Sequence, residues 1–135
     1  MCKKSWDEIR GRVDQIKIDH EFDMIVAIGR GGVVPGNLMK QKMNVDLNIL
    51  GLQYRNDNHE IINNEPQSTQ PIDFEFKNKR LLIVDDVSRS GETLKKAKAL
   101  LKGAKNIKTM VVNGKADYSL YDEECFKMPW SSEIT

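Results

Sequence analysis

Two short apolar runs constrain this chain more than any other feature. Met24-Ile25-Val26-Ala27-Ile28 contains no polar side chain and stops at Gly29. Leu81-Leu82-Ile83-Val84 is a second such run and stops at Asp85. Successive side chains of a strand point to opposite faces, so a half-exposed strand alternates apolar and polar residues. A run without polar members needs cover on both faces, the situation of a strand inside a parallel sheet. Helical patterns supply that cover. Ser5 to Glu8 reads S-x-x-E, a capping box, and Trp6, Ile9, Val13 and Ile16 then recur at helical spacing. A helix is expected through Leu38, Met39 and Met43, and another with Leu94, Ala97, Leu101 and Ala104 on one face. Val45, Leu47 and Ile49 alternate with polar residues as in a half-buried strand, and Ile107 to Val112 reads as a further strand. The tail from Tyr118 to Thr135 reads as irregular. Strands alternating with helices predict an α/β fold with a parallel sheet of four or five strands. At 135 residues, with no repeat and no linker, one domain is expected.

Composition narrows the partners. Lys and Arg total 21 against 20 Asp and Glu, a net charge of +1, so neither a nucleic acid nor an anionic membrane is called for. Cys2 and Cys125 form no metal-ligand spacing and are expected to be reduced thiols of a cytoplasmic protein. His20 and His59 are too isolated for a zinc site. The opening residues lack an apolar signal core, and no apolar run approaches the roughly 20 residues of a membrane span.

Arg55 to Pro71 is rich in Asn, Gln, Asp and Glu and reads as one long loop, a candidate mobile lid. Ligands of open α/β sheets bind at the carboxyl ends of strands. Three unusual segments fall at such ends: Gly29 to Gly32, Asp85 to Thr93, and Asn113 to Asp117.

The second of these carries the most chemistry. In Val84-Asp85-Asp86-Val87-Ser88-Arg89-Ser90-Gly91-Glu92-Thr93 a buried strand ends in two carboxylates, expected to be exposed. A polar turn from Asp85 to Gly91 then leads into a helix. Backbone amides of such a turn, the helix N-terminus and the Ser88, Ser90 and Thr93 hydroxyls suit one phosphate. Asp85 and Asp86 suit sugar hydroxyls or a hard divalent cation. Together they suggest a phosphorylated sugar. On local physics alone the stretch fits equally a surface turn whose Asp residues cap nearby amides. A Walker A loop is excluded, because no G-x-x-x-x-G-K-[ST] occurs.

The same stretch resembles the signature of type I phosphoribosyltransferases that binds phosphoribosyl pyrophosphate (PRPP): apolar strand, Asp-Asp, four variable positions, Gly, one residue, Thr. Gly29-Arg30-Gly31-Gly32-Val33-Val34-Pro35-Gly36 resembles the family's pyrophosphate loop. Tyr54-Arg55-Asn56-Asp57-Asn58-His59 resembles the start of the hood loop in bacterial xanthine-guanine and hypoxanthine phosphoribosyltransferases. Lys115 and Pro129-Trp130 are similar to that branch too. The resemblance implies one phosphoribosyltransferase domain over residues 1–135, with a mobile loop at 55–71 and a small hood from 115–135. It implies transfer of phosphoribose from PRPP to a nucleobase, a 6-oxopurine of purine salvage, by an enzyme that uses Mg²⁺ and assembles as a homodimer or homotetramer. Asp85 and Asp86 would hold the ribose hydroxyls and the metal. Val87, Ser88, Arg89, Ser90, Gly91 and Thr93 would line the 5-phosphate site. Arg30 and Gly31 would bind pyrophosphate, with a cis peptide between them. Lys115 would face the purine O6 and Trp130 would stack on the ring. Read without the family, Gly31-Gly32 is an ordinary tight turn, Lys115 a solvated lysine and Trp130 a packing aromatic.

One position departs from the pattern. Where Arg89 stands, the 6-oxopurine enzymes carry an Asp that exchanges a proton with N7 of the base, and a guanidinium cannot accept one. Arg89 then reaches a phosphate or is simply solvated. The reaction implied is displacement of pyrophosphate from C1 of PRPP through an oxocarbenium-like transition state. A second reading keeps the phosphate site and drops turnover, leaving a PRPP- or nucleotide-sensing module. A phosphoacceptor domain is disfavoured, since its acidic pair ends the first strand of its fold.

Overall fold

The computed structural model describes residues 3–53, 67–68, 71–124 and 126–130. Ser5 caps helix α1 (Trp6–Gln15): its hydroxyl accepts from the Glu8 amide and the Glu8 carboxylate accepts from the Ser5 amide, both at 3.1 Å. Ile9 and Val13 are the buried members of its stripe. The two apolar runs are strands β1 (Met24–Gly29) and β4 (Arg80–Ser88), side by side and parallel. Helix α2 (Val33–Met43) crosses from β1 to β2 (Asp46–Gln53), and helix α3 (Glu92–Leu100) from β4 to β5 (Asn106–Gly114).

The sheet runs β3-β2-β1-β4-β5-β6, with β3 (Gln67–Ser68) and β6 (Tyr118–Tyr121) at its edges. Five strands are parallel, and only β3 runs antiparallel, against β2. Core side chains divide between the two faces. Ile25, Leu82, Val84, Met110 and Val112 pack with Ile9, Val13 and Met39 from α1 and α2. Met24, Val26, Ile28, Leu81, Ile83 and Val111 pack with Leu94, Ala97 and Leu101 from α3. The uninterrupted apolar runs are thus explained by cover on both sides. No helix among the described residues is long and apolar enough to cross a membrane.

Four expectations from sequence change. The tail is not wholly irregular: β6 pairs in parallel with β5, Met110 opposite Tyr118, because Tyr121 and Leu120 find buried positions there. The turn expected from Asp85 is strand as far as Ser88, because β5 extends alongside it to Gly114 and prolongs the ladder. In β2 the alternation shifts. Val45 precedes the strand, Ile49 is 41% exposed, and the buried residues are Leu50 and Leu52, which face the α3 side. Most of the 55–71 loop, with Tyr54 to His59, lies outside the described residues, but Gln67–Ser68 within it is a strand. Cys2 and Cys125 also lie outside them.

The chain leaves β1 for β2 on one side and returns to β4 on the other, so the order reverses between β1 and β4. A crevice opens at such a switch point, at the carboxyl ends of the two strands. Gly32, the N-cap of α2, sits in it under tight restraint: a Cβ there would collide with the Val84 carbonyl and lie 3.0 Å from Asp85 Cα. Gly91, the N-cap of α3, has open space around it but φ +82°. Gly32→Ala should therefore cost about 3 kcal/mol, as overpacking against backbone. Gly91→Ala should cost about 1–2 kcal/mol, from the left-handed conformation alone. Urea unfolding of both variants measures the difference; equal losses would contradict this account.

Candidate active site

The β1–α2 loop and the β4 carboxylates form one unit. The loop reverses at once, with the Gly32 amide donating to Ile28 O at 2.7 Å and the Val33 amide to Arg30 O at 3.2 Å. The cis peptide is Gly29–Arg30, one bond earlier than the sequence reading put it, between Arg30 and Gly31. The reversal begins right at the strand end, because Gly32 must already be back over Ile28. Gly31 then lies against Asp86: a Cβ on it would be 2.6 Å from Asp86 Oδ2. Only a residue without a side chain lets the loop rest on that carboxylate.

The two aspartates differ in setting. Asp86 is half-buried, whereas Asp85 is 7% exposed, against the expectation that both carboxylates would be surface groups. Strand β4 continues past Asp85, so the sheet and the Gly32 backbone cover it. Asp85 Oδ1 accepts from the Asp86 amide at 2.8 Å, and Asp86 Oδ1 accepts from the Val87 amide at 2.7 Å. Burial, and then the neighbouring Asp86 charge, push the Asp85 carboxyl well above its usual range. Burial beside a second carboxylate makes a charged Asp85 costly, a setting common where a cation or hydrogen-bond donors bind.

Beyond the carboxylates, Val87 packs on the core and Ser88 is paired with Gly114. Gly114 has φ +124°, and a Cβ on it would collide with the Ser88 carbonyl, so β4 and β5 approach closely here. Arg89, Ser90 and Gly91 form the turn into α3. The Ser90 hydroxyl accepts from the Glu92 amide at 3.3 Å, and Thr93 is half-buried in the first helical turn. Val87, Ser88, Arg89, Ser90, Gly91 and Thr93 thus form one continuous segment beside the Asp pair, next to the loop of Arg30 and Gly31. Lys115, exposed, follows the end of β5 on the adjacent strand.

Trp130 has a different environment. Its ring packs on the α1–α2 side of the core and against Trp6, with centroids 5.5 Å apart. Its Nε1 is the one buried side-chain nitrogen or oxygen without a hydrogen-bond partner among the described residues. Main-chain contacts fix this segment: Lys3 bridges to Lys127, and the Lys4 amide donates to Lys127 O at 3.0 Å.

Sequence reasoning gave no role to Asn113, which is 2% exposed. Its Nδ2 donates to Glu123 O at 2.9 Å and its Oδ1 accepts from the Glu123 amide at 2.8 Å. This reciprocal pair fixes the turn after β6 to the end of β5. The available signal was an amide at the end of an apolar run, at a position the sheet buries. Asp117 similarly accepts from the Thr109 amide and hydroxyl, at 2.9 and 3.1 Å, closing the reversal from β5 into β6.

Comparison with known proteins agrees with this geometry. The family model described as "Phosphoribosyl transferase domain" matches residues 4–133. A purine phosphoribosyltransferase from Pyrococcus horikoshii Ot3 superposes with a TM-score of 0.77 at 25% identity, covering 96% of this chain and 92% of that one. A Neisseria gonorrhoeae protein solved with bound ppGpp gives 0.72 at 22% identity, covering 96% and 89%. The Helicobacter pylori xanthine-guanine-hypoxanthine phosphoribosyltransferase gives 0.69 at 17%, covering 98% and 93%. The last two show the fold. No curated protein sequence matches. With the family model spanning nearly the whole chain and the carboxylate pair, glycine loop and the turn into α3 meeting at one switch point, the chain belongs to the phosphoribosyl transferase domain family and is a phosphoribosyltransferase.

Proposed function

We propose that the chain transfers the 5-phosphoribosyl group of PRPP to a ring nitrogen of a 6-oxopurine and releases pyrophosphate. The observation that carries this is the Asp85–Asp86 pair pressed under Gly31, beside the turn from Ser88 to Gly91. The purine is supported by the Pyrococcus relative, which is a purine phosphoribosyltransferase. Asp85 and Asp86 accept hydrogen bonds from the ribose hydroxyls. Amides and hydroxyls from Ser88 to Thr93 take the 5-phosphate. Arg30 and the Gly31 amide take the pyrophosphate. Holding both ends of PRPP converts the displacement into an intramolecular-like step. Donors aimed at the departing pyrophosphate stabilise the charge that develops on it.

Mg²⁺ is the cofactor this reading requires. Among the described residues no group of three His, Cys, Asp or Glu side chains could hold a metal. Mg²⁺ needs fewer, since it commonly uses one or two carboxylates plus substrate phosphates and retains waters. Asp85 and Asp86 fit that requirement, because a cation offsets the burial and mutual repulsion that raise Asp85. When bound, the ion neutralises charge on the pyrophosphate leaving group.

On the acceptor side the reading uses Lys115 toward the base carbonyl and the Trp130 face turned away from Trp6. A second reading, nucleotide binding without turnover, has two observations in its favour. Arg89 stands where the family resemblance implies a carboxylate, and a structural relative was solved holding ppGpp. Assay of PRPP, Mg²⁺ and purine bases for nucleotide and pyrophosphate separates the two: binding without product selects the second.

Calorimetry should find Mg²⁺-dependent PRPP binding abolished in the Asp85→Asn, Asp86→Asn double variant. Unchanged affinity in a folded double variant would remove this assignment.

Asp85 also predicts a stability effect whose sign follows from its direction of shift. A carboxyl raised in the folded state favours folding in its protonated form, and that advantage is lost as pH rises above its ordinary value of 3.8. At pH 7–8 Asp85 therefore opposes folding of the free protein. Asp85→Asn should raise ligand-free stability there by about 1–2 kcal/mol. The gap should shrink as pH falls toward 4. A loss of stability at pH 8 would refute the strained-carboxylate account.

For Trp130, the Trp6→Phe background isolates its fluorescence, which should change on purine binding. In that background Trp130→Ala should weaken base or nucleotide affinity by about tenfold or more, as loss of one stacking contact. Normal base affinity in that variant would exclude Trp130 from the base site.

A further inference from the structure

We infer that the acceptor is bound as an anion, a heterocycle that has already lost a ring N–H proton, and that Arg89 together with Lys115 selects it. This rests on the phosphoribosyl-transfer reading above. Ser88 and Gly114 are partners at the last rung of the β4–β5 ladder. Arg89 and Lys115 are the next residue on each chain, so their backbones start from neighbouring strands about 5 Å apart. Both side chains are exposed, and neither has a hydrogen-bond or ion-pair partner among the described residues. Two adjacent cations without an ion-pair partner among the described residues form a site for a delocalised negative charge.

The geometry of displacement puts the acceptor at that site. Nucleophile and leaving group occupy opposite sides of C1. The pyrophosphate belongs to the loop after β1, and β1 and β5 flank β4 on opposite sides. A ribose over the β4 carboxylates therefore meets its acceptor from the β5 side, where Arg89 and Lys115 stand.

A neutral acceptor would need a base there to remove its proton, and a guanidinium is not one. Among the described carboxylates, Asp117 accepts from Thr109, and Glu123 pairs with Lys4 at 3.0 Å. Asp85 and Asp86 lie below the sugar, each with an oxygen on an amide. Glu92 opens α3, and Asp122 and Glu124 flank Glu123 in the turn that Asn113 holds to the end of β5, so these are the described carboxylates left to act as a base. With the proton already given to solvent, the ring nitrogen brings a free electron pair. The nitrogen–C1 bond forms as the C1–oxygen bond breaks, and pyrophosphate leaves with that electron pair.

The test is a pH series of kcat/KM with PRPP, Mg²⁺ and xanthine, whose ring N–H ionises close to neutral pH, beside hypoxanthine and guanine, which ionise higher. Xanthine should be preferred by at least about tenfold at neutral pH. The inflection in each pH profile should move with the acceptor's own ionisation. Arg89→Lys should keep the preference, while Arg89→Asp should invert it toward the neutral bases. A common inflection for all three acceptors would place the titrating base on the protein and overturn the inference. Equal use of neutral and ionised bases, or an unchanged preference in Arg89→Asp, would overturn it while leaving phosphoribosyl transfer standing. Absence of PRPP binding in the unaltered protein would instead remove the parent reading, and this inference with it.

Discussion

The contact between the glycine loop after β1 and the backbone of β4 is the constraint on which the rest of this molecule depends. Gly32 lies against the Val84 carbonyl and Asp85 Cα, and Gly31 against the Asp86 carboxylate. Neither approach tolerates a Cβ. The contact starts α2 at a fixed point, seals Asp85 from water on one side, and brings two loops from different crossovers to one crevice. Gly36 continues the effect one turn later, since a Cβ there would lie 2.9 Å from the Ala27 Cβ. Close helix–strand packing holds the loop from behind, so the site is braced by the core rather than by contacts within the loop.

Asp85 illustrates a trade between stability and ligand affinity. A buried carboxyl next to a second one is costly without a counter-charge. Hydrogen bonds from the Asp86 and Val87 amides offset part of that cost by orienting each carboxylate. What remains is released when a cation or a set of hydroxyl donors arrives. On the proposed reading that destabilisation is converted into binding, which would account for such a pair on an otherwise apolar strand.

Much of this was legible before any coordinates. The apolar runs identified β1 and β4, because full burial leaves no room for polar residues. The Ser5–Glu8 capping box located α1 to the residue, because both of its hydrogen bonds are local. The Asp-Asp turn and the glycine loop were recognisable because their chemistry is written in consecutive residues. Contacts between distant residues were not legible. The burial of Asp85 depends on β5 prolonging the ladder, β6 on a strand of four residues finding an edge, and the Asn113–Glu123 pair on a turn not yet placed. The environment of Trp130 is of the same kind, since nothing near it in sequence points to Trp6.

The main-chain bridge between Lys3 and Lys127 has a consequence for how the molecule opens. Around it, Lys4 pairs with Glu123 and lies 4.6 Å from the Tyr121 ring centroid. The Arg12 guanidinium donates to Leu120 O at 2.8 Å and lies 4.3 Å from the same ring. The first helix and the segment beyond β6 are therefore coupled through these contacts and share a local unfolding free energy. Amide protection in Ile9 and Val13 would rise and fall with that in Leu120 and Tyr121. A change among the first dozen residues is thereby transmitted to the side of the molecule that carries Trp130.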